Sequence, residues 1–194
     1  MVIAIDGPAG AGKSTVARAV ADALGYRYLD TGAMYRAVAL AALRTGVAGD
    51  DGEALAGLAG LAATMSGDPE LRSPQVEGRV SLVAAHPAVR EALHQAQRAF
   101  LAEGDAVAEG RDVGAVVWPE AELKVWLDAA PQVRARRRVR EQGAASAAAA
   151  LAERDQRDSA QTVRAPDAVV IDSTELAPEA VVAHIVALAR AGAS

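Results

Sequence analysis

The sequence predicts an α/β doubly wound fold built on a five-stranded parallel sheet. Short apolar runs alternate along the chain with segments of helical periodicity, which is typical of this class. A glycine-rich loop joins the first apolar run to the first helical segment. Polar residues directly follow several of the runs, and parallel sheets of this class bind ligands at the carboxyl ends of their strands.

The individual elements follow from the spacing of apolar residues. Apolar runs that end at glycine or aspartate predict strands at 2–5, 26–30, 106–109, 123–127 and 169–172. Apolar positions three and four residues apart predict helices at about 14–24, 33–44, 50–65, 75–85, 88–103, 131–142, 146–158 and 178–190. Thr31 is predicted to cap the second helix, and the residues from Ser66 to Pro74 are predicted to form a loop.

Composition excludes several classes of protein. The chain has 194 residues, which suits one domain of ordinary size or a core with a small excursion, and it has no cysteine, which excludes disulfides and thiolate zinc sites. It lacks asparagine, which GTPases need to read their base and protein kinases need on their catalytic loop. A net charge of -5 and 3% aromatic residues argue against nucleic-acid binding. Without a membrane-spanning run or a signal peptide, we expect a cytoplasmic protein.

The residues from Gly7 to Ser14 match the phosphate-binding pattern G-x-x-x-x-G-K-[ST]. The match follows a predicted strand and opens a predicted helix, which is the context that this pattern requires. Its glycines let successive backbone N–H groups point at phosphate oxygens, and the helix N-terminus adds positive charge. Lys13 is expected to reach the β- and γ-phosphates of ATP, and the Ser14 hydroxyl to ligate Mg²⁺.

Acidic and basic residues follow the later strands. Glu109 ends the third predicted strand, where it either holds Mg²⁺ through water, as a Walker B acid does, or is simply a carboxylate at a strand end. Arg134, Arg137 and Arg138 share one face of the helix after the fourth strand. A solvated helix face is one interpretation of these arginines. A lid that closes over ATP and its acceptor is the better one beside a phosphate-binding loop.

Seven segments together carry a specific resemblance, namely IDGPAGAGKST (5–15), YLDTGAMYRA (28–37), SLVAAHPAVRE (81–91), AEGRDVGAVVWPEAELKVWLDA (108–129), RARRR (134–138), ERDQRDS (153–159) and APDAVVIDST (165–174). With them the chain resembles bacterial cytidylate kinases, which are P-loop nucleoside monophosphate kinases acting on CMP and dCMP. The resemblance implies one kinase domain over residues 1–194, with a helical nucleotide-binding region at about 31–103 and an arginine-rich lid region at about 131–160.

The resemblance also implies the roles of individual residues. The ATP phosphates would be bound by Gly7, Pro8, Ala9, Gly10, Ala11, Gly12, Lys13, Ser14 and Thr15. CMP would be bound by Thr31, Arg36, Ser81, Arg90, Arg111, Asp112, Arg154 and Asp158. Within the second set, Arg36 and Arg111 would hold the phosphate, and Ser81, Arg90 and Asp112 the cytosine ring. Lys13 and the arginines at 134, 137 and 138 would be catalytic, with Mg²⁺ as cofactor.

Two positions depart from the family pattern. The family usually has an arginine where this chain has Gln161, and Arg164 is nearby. The nucleotide-binding insert of the family is shortened here to a loop, Ser66 to Arg72.

Two rival functions remain open at this point. The first is a kinase of the same fold with another small acceptor, such as UMP. The second is a non-catalytic nucleotide sensor. We expect a monomer that acts on small nucleotides, without a nucleic-acid or membrane partner.

Overall fold

The five predicted strands are all present in a computed structural model, which describes residues 1–61, 64–65, 67–142, 153 and 155–192. They are β1 (Val2–Asp6), β2 (Arg27–Asp30), β3 (Ala106–Gly110), β4 (Leu123–Asp128) and β5 (Val169–Asp172). One sheet contains them in the order β2-β3-β1-β4-β5, so the buried strand β1 lies at its centre. β1 pairs in parallel with both β3 and β4, and β4 with β5. The predicted fold class is confirmed.

Seven α-helices occupy the described residues. They are α1 (Lys13–Leu24), α2 (Thr31–Thr45), α3 (Gly52–Gly57), α4 (Pro74–Ala85), α5 (Pro87–Ala102), α6 (Pro131–Gln142) and α7 (Pro178–Gly192). Shorter 3₁₀ turns span Ala59–Leu61, Pro69–Arg72 and Ser159–Gln161, and a π-helical turn spans Val113–Val117. The helix predicted at 146–158 falls mostly outside the described residues, as does Arg154. Among the described helices, none is long and apolar enough to cross a membrane.

The chain divides into two compact units, each with its own hydrophobic core. The first unit combines Met1–Leu29 with Leu101–Ser194 and contains the sheet. Its core includes the fully buried side chains of Ile3, Ile5 and Leu127. The second unit is Asp30–Phe100, which is helical and packs around a separate cluster of buried residues that includes Leu55 and Leu93. It covers nearly the same residues as the region predicted at about 31–103.

The start of α2 corrects one sequence prediction. The helix begins at Thr31 and is capped by Asp30, whose carboxylate accepts a hydrogen bond from the Ala33 N–H at 2.8 Å. Thr31 is therefore the first helical residue and not the cap. Strand β2 leads into the helix without an intervening loop, so its last residue has the extended backbone that a capping residue requires.

The helix predicted at 50–65 is also wrong in length. Helix α3 ends at Gly57, and a 3₁₀ turn at Ala59–Leu61 follows it. Glycine in a helix interior costs about 1 kcal/mol relative to alanine, and both Gly57 and Gly60 lie in the predicted span. Alanine and leucine favour a helix in this segment, but the two glycines interrupt it.

Candidate active site

The glycine-rich loop joins β1 to α1 at the carboxyl edge of the sheet. Gly7, Gly10 and Gly12 all have positive φ angles, of 154°, 75° and 94°. Gly12 is the N-cap of α1 and provides no side chain to cap it, so the first N–H groups of the helix remain available to a phosphate. The loop thus has the conformation expected of a phosphate-binding cradle.

Lys13 is the first residue of α1, and its side chain is folded back over the loop. Its Nζ donates a hydrogen bond to the Pro8 carbonyl oxygen at 2.8 Å, and the residue is only 5% exposed. Ser14 follows in the first helical turn and is half-buried. A buried ammonium beside backbone N–H groups makes this loop strongly electropositive, as a polyphosphate requires.

Two of the predicted lid arginines contact the loop from its outer side. Arg134 Nη1 donates to the Ala9 carbonyl oxygen at 2.9 Å, and Arg137 Nη1 donates to the Ala11 carbonyl oxygen at 3.0 Å. Arg137 also donates to the hydroxyl and carbonyl oxygens of Ser173. These bonds satisfy two carbonyl groups of the loop and help to hold its backbone in place. Arg138 is half-buried on the same helix.

The catalytic role of these arginines stays a prediction. Arg134 also forms an ion pair with Asp155 at 2.5 Å, which joins the start of α6 to a residue of the predicted lid region. A guanidinium that binds a backbone carbonyl and a carboxylate supports the loop in this structure. Neutralising a transferred phosphoryl group would require some of these bonds to be exchanged for bonds to phosphate.

Glu109 lies at the carboxyl end of β3, paired in register with Ile5 on β1. It is 4% exposed, and Oε1 accepts a hydrogen bond from the Tyr28 hydroxyl at 3.1 Å. A buried carboxylate at this position suits both interpretations of Glu109, and the role as a ligand of the Mg²⁺ water shell stays a prediction. No group of three or more His, Cys, Asp or Glu that could hold a metal occurs within the described part of the chain.

Asp6, the last residue of β1, connects this loop to the segment that follows β3. Its Oδ1 accepts from the Val113 N–H at 2.9 Å and its Oδ2 from the Gly114 N–H at 2.8 Å. Burial raises the pKa of the Asp6 carboxyl to about 6, although the two N–H groups and Lys13 act in the opposite direction. Asp112 adds to the increase because both groups are acidic. The carboxyl is thus mostly ionised above neutral pH.

A pH titration of stability tests the state of Asp6. The folded protein retains this proton at pH values where the unfolded chain, with its pKa of 3.8, has lost it. The resulting stabilisation is present below pH 3.8 and is lost as the pH rises through about 6, an effect of about 3 kcal/mol. The measurement is urea denaturation of wild type and Asp6→Asn between about pH 4.5 and about pH 7.5. If the difference in the free energy of unfolding between the two proteins does not change with pH, the raised pKa of Asp6 is contradicted.

Three predicted acceptor residues lie near the start of the loop. Arg111 Nη1 donates to the Gly7 carbonyl oxygen at 3.4 Å, and Arg111 Nη2 lies 3.6 Å from an Asp158 carboxylate oxygen. Asp112 is 7% exposed and immediately precedes the π-helical turn, which begins at Val113. The first unit therefore brings the donor loop together with a half-buried arginine, Arg111, and a buried carboxylate, Asp112.

The other described acceptor residues lie in the second unit. Arg36 is 8% exposed, and its Nη2 forms a 2.8 Å ion pair with Asp30, while its Nε is buried without a hydrogen-bond partner among the described residues. An incompletely satisfied buried guanidinium suits a phosphate ligand. Thr31 and Ser81 are buried, and Arg90 is half-buried on α5.

Sequence reasoning missed four residues that support this site. Asp30 holds Arg36, Tyr28 holds Glu109, Ser173 binds Arg137, and Asp6 holds the turn after Asp112. Asp6 and Asp30 were recognisable as polar residues at strand ends, but their partners are distant in sequence or lie on a helix face. Nothing in the sequence pattern indicates the pairing of Ser173 with Arg137.

Comparisons with known proteins identify the family of the chain. The family model for cytidylate kinase matches residues 3–191. A cytidylate kinase from Pelotomaculum thermopropionicum is 46% identical, with 98% of this chain and 96% of the relative covered. One from Symbiobacterium thermophilum is 43% identical, with 95% and 94% covered. The first alignment spans 218 positions against 194 residues in this chain, so the relative contains residues that this chain lacks.

Solved structures show the same fold. A gluconokinase from Sinorhizobium meliloti superposes with a TM-score of 0.57 at 18% identity, with 98% of this chain and 93% of that chain covered. A shikimate kinase from Bacteroides thetaiotaomicron gives 0.56 at 16% identity, with 98% of both chains covered. These likenesses concern the fold alone. The family match over nearly the whole length, together with the two closely similar relatives, shows that the chain belongs to the cytidylate kinase family.

Proposed function

We propose that the chain transfers the γ-phosphoryl group of ATP to the phosphate of CMP or dCMP, which yields ADP and CDP or dCDP. Family membership supports this activity. The structural observation that carries it is the 3.4 Å hydrogen bond between Arg111 and the Gly7 carbonyl, because it joins the donor loop to the Arg111–Asp112 segment. A protein that only sensed ATP would need no second anion-binding group beside the loop.

The reaction needs positioning and charge neutralisation more than acid–base chemistry. An oxygen of the acceptor phosphate forms a bond to the γ-phosphorus, while the bond from that phosphorus to the β–γ bridging oxygen breaks and leaves ADP. The attacking oxygen is already anionic, so no strong general base is required. Lys13 is proposed to offset charge on the donor phosphates, and Arg111 charge on the acceptor phosphate. The hydrogen bonds of these side chains to carbonyl oxygens of the loop support both roles.

The residues present fit a bound Mg²⁺. This ion prefers oxygen ligands, keeps several waters, and is held by only one or two protein groups together with the phosphates of the substrate. Ser14 supplies a hydroxyl in the first turn of α1, and Glu109 supplies a buried carboxylate beside β1 that would bind through water. When bound at Ser14 and Glu109, Mg²⁺ would supply positive charge that neutralises part of the charge on the donor phosphates.

Asp112 is the proposed reader of the cytosine base. An ionised carboxylate accepts hydrogen bonds only, and the exocyclic amine of cytosine offers such a donor where uracil has a carbonyl. A buried carboxylate therefore attracts CMP and repels UMP. Ser81 and Arg90 are proposed to assist from the second unit, and Arg36 to bind the phosphate of CMP.

Measurement of ADP release with CMP, dCMP, UMP and AMP tests the activity and the role of Asp112 together. We expect wild type to prefer CMP and dCMP. Asp112→Asn should lower kcat/KM for CMP by roughly 10- to 100-fold, because a hydrogen bond to a charged group is lost. The same variant should gain activity with UMP, since an amide can donate to the uracil carbonyl.

The matched control is Asp167→Asn, which neutralises an exposed carboxylate bound to Lys124. It should leave the order of acceptors unchanged. Equal wild-type rates with all four acceptors would remove the cytosine assignment, and preference for UMP would favour the rival kinase. ATP binding without turnover would favour the sensor.

A monomeric state, a cytoplasmic location and the absence of nucleic-acid binding are proposed with this function. The net charge of -5 supports the last of these, because a basic surface supplies most of the affinity for nucleic acids.

A further inference from the structure

The Asp6 side chain is a second link, besides the Arg111–Gly7 hydrogen bond, between the donor loop and the acceptor segment. It is the last residue of β1, so the backbone continues directly into Gly7 and the phosphate-binding loop. Its carboxylate is bound to the N–H groups of Val113 and Gly114, the two residues that follow Asp112. The side chain is 4% exposed, so water does not compete effectively for these bonds.

We propose that Asp6 is a positioning residue that sets the place of Arg111 and Asp112 relative to the phosphate-binding loop. The inference rests on the proposed function, since it assigns the acceptor specificity of that reaction to a residue that contacts neither base nor phosphate. Asp6 acts through the backbone at Val113 and Gly114, and its effect is exerted on the neighbouring Asp112.

The hydrogen bonds of the π-helical turn explain why a second carboxylate is needed. The carbonyl oxygen of Asp112 accepts from the N–H groups of Ala115, Val116 and Val117. The N–H groups of Val113 and Gly114 come before these and have no acceptor within the turn. Asp112 precedes the turn in the capping position, yet its side chain makes no capping hydrogen bond. Asp6 supplies that cap from a different strand, so the Asp112 carboxylate is not used for it.

Both oxygen atoms of Asp6 are required for this arrangement. Each accepts one N–H at a normal length, and the two donors come from consecutive residues. An asparagine of the same size offers a single acceptor, and its NH₂ group would face the second N–H. One backbone N–H would then be buried without a partner, and the turn would shift to satisfy it.

Close packing limits how the turn could shift. A Cβ placed on Gly114 would lie 3.1 Å from Lys124 Cγ and 3.3 Å from Ala4 Cβ. The backbone at Gly114 therefore lies directly on the central strands, and only the absence of a side chain permits this approach. Movement toward the sheet is blocked, so a turn released from Asp6 moves away from β1. That movement would carry Asp112 and the Arg111 side chain away from Gly7.

The test compares wild type with Asp6→Asn above neutral pH, at a temperature at which both are folded. We expect kcat/KM for CMP to fall about tenfold, mainly through KM, and the ratio of CMP to UMP activity to fall by a similar factor. The dissociation constant of a non-hydrolysable ATP analogue should change less than about threefold, because Lys13 and the arginines of α6 hold the loop independently of Asp6.

Ile185→Val is the control for a loss of stability alone. Ile185 is a fully buried core residue of α7, a helix that contributes none of the candidate site residues, and a change of isoleucine to valine typically lowers the stability of a domain only modestly. It should leave both KM for CMP and the CMP-to-UMP ratio unchanged. If Asp6→Asn does not fold, Asp6→Ser, which is smaller and keeps one hydroxyl acceptor, is measured in the same way.

The outcomes separate the two proposals. An Asp6 variant that is less stable but keeps the wild-type KM and acceptor ratio makes Asp6 a purely structural residue and overturns the inference, while the proposed function stands. Wild type that phosphorylates none of the four acceptors overturns the proposed function and the inference with it. A fall in the ratio for Asp6→Asn, without one for Ile185→Val, supports the positioning role.

Discussion

Replacement of Gly7 by alanine is expected to abolish ATP binding and to lower the free energy of unfolding by about 4 kcal/mol or more. A Cβ at this position would lie 2.0 Å from the Leu127 carbonyl oxygen, a distance at which no stable packing exists. The atom in the way belongs to the backbone of β4, so no side-chain rotation can relieve the contact. The residue also has a φ of 154°, which L residues rarely adopt.

Gly25→Ala is the matched control for this substitution. Gly25 caps the other end of α1 with a φ of 70°, and nothing lies within 4 Å of the Cβ that alanine would add. Gly25→Ala should lower the free energy of unfolding by only about 1 to 2 kcal/mol, because the alanine adopts a left-handed conformation without a steric clash. Chemical denaturation and titration with an ATP analogue measure both variants. The prediction would be contradicted if Gly7→Ala had the same unfolding midpoint as Gly25→Ala and the same ATP affinity as wild type. The backbone of β4 would then have to move aside to accommodate the added methyl group.

The strands and most helices were predictable because the information that defines them is local. Apolar runs ending at Asp6, Asp30 and Asp128 define three strand ends within a residue of those observed. Helix α6 has the predicted bounds, since its apolar spacing begins at Pro131 and no glycine interrupts it. Short-range periodicity is sufficient for such elements.

The supports of the site were not predictable because they depend on contacts between distant residues. Asp6 binds N–H groups 107 and 108 residues away, and Arg137 binds Ala11 across 126 residues. The π-helical turn after Asp112 has no periodic signature, since Asp6 and the Asp112 carbonyl provide its hydrogen bonds. For the same reason, the spacing of the arginines on α6 does not reveal their contacts with loop carbonyls, and their role as a lid stays a prediction.

The shortened insert, from Ser66 to Arg72, could be predicted only from the family resemblance and not from the spacing of residues. The sequence contains only a short loop where the family has additional residues, and the longer alignment with the Pelotomaculum relative agrees with a deletion in this chain. In the structure, Arg44 pairs with both Asp68 and Glu70 beside this loop, and all three side chains belong to the second unit. Because Arg44 and Glu70 are exposed, solvent screens these pairs and they add little stability.

Replacement of Lys13 by methionine should lower kcat by about 100- to 1,000-fold while leaving the fold intact. Methionine preserves the aliphatic stem that packs in the loop but removes the ammonium, so charge developing on the transferred phosphoryl group loses its nearest fixed cation. The Pro8 carbonyl loses its hydrogen bond from Nζ, which costs only about 1 kcal/mol of stability. A coupled assay of ADP release at saturating ATP and CMP gives kcat, and circular dichroism confirms folding.

Lys124→Met provides an internal control, because Lys124 is the only other lysine of the chain. Its Nζ pairs with the exposed Asp167, while its stem packs near Gly114, and methionine retains that stem. Removing this charge should change kcat less than about twofold, since an exposed ion pair contributes little. If both lysine variants lost activity equally, the effect would reflect the net charge of the protein. A loss confined to Lys13→Met instead assigns the requirement to the ammonium that is held against the glycine-rich loop by the Pro8 carbonyl oxygen.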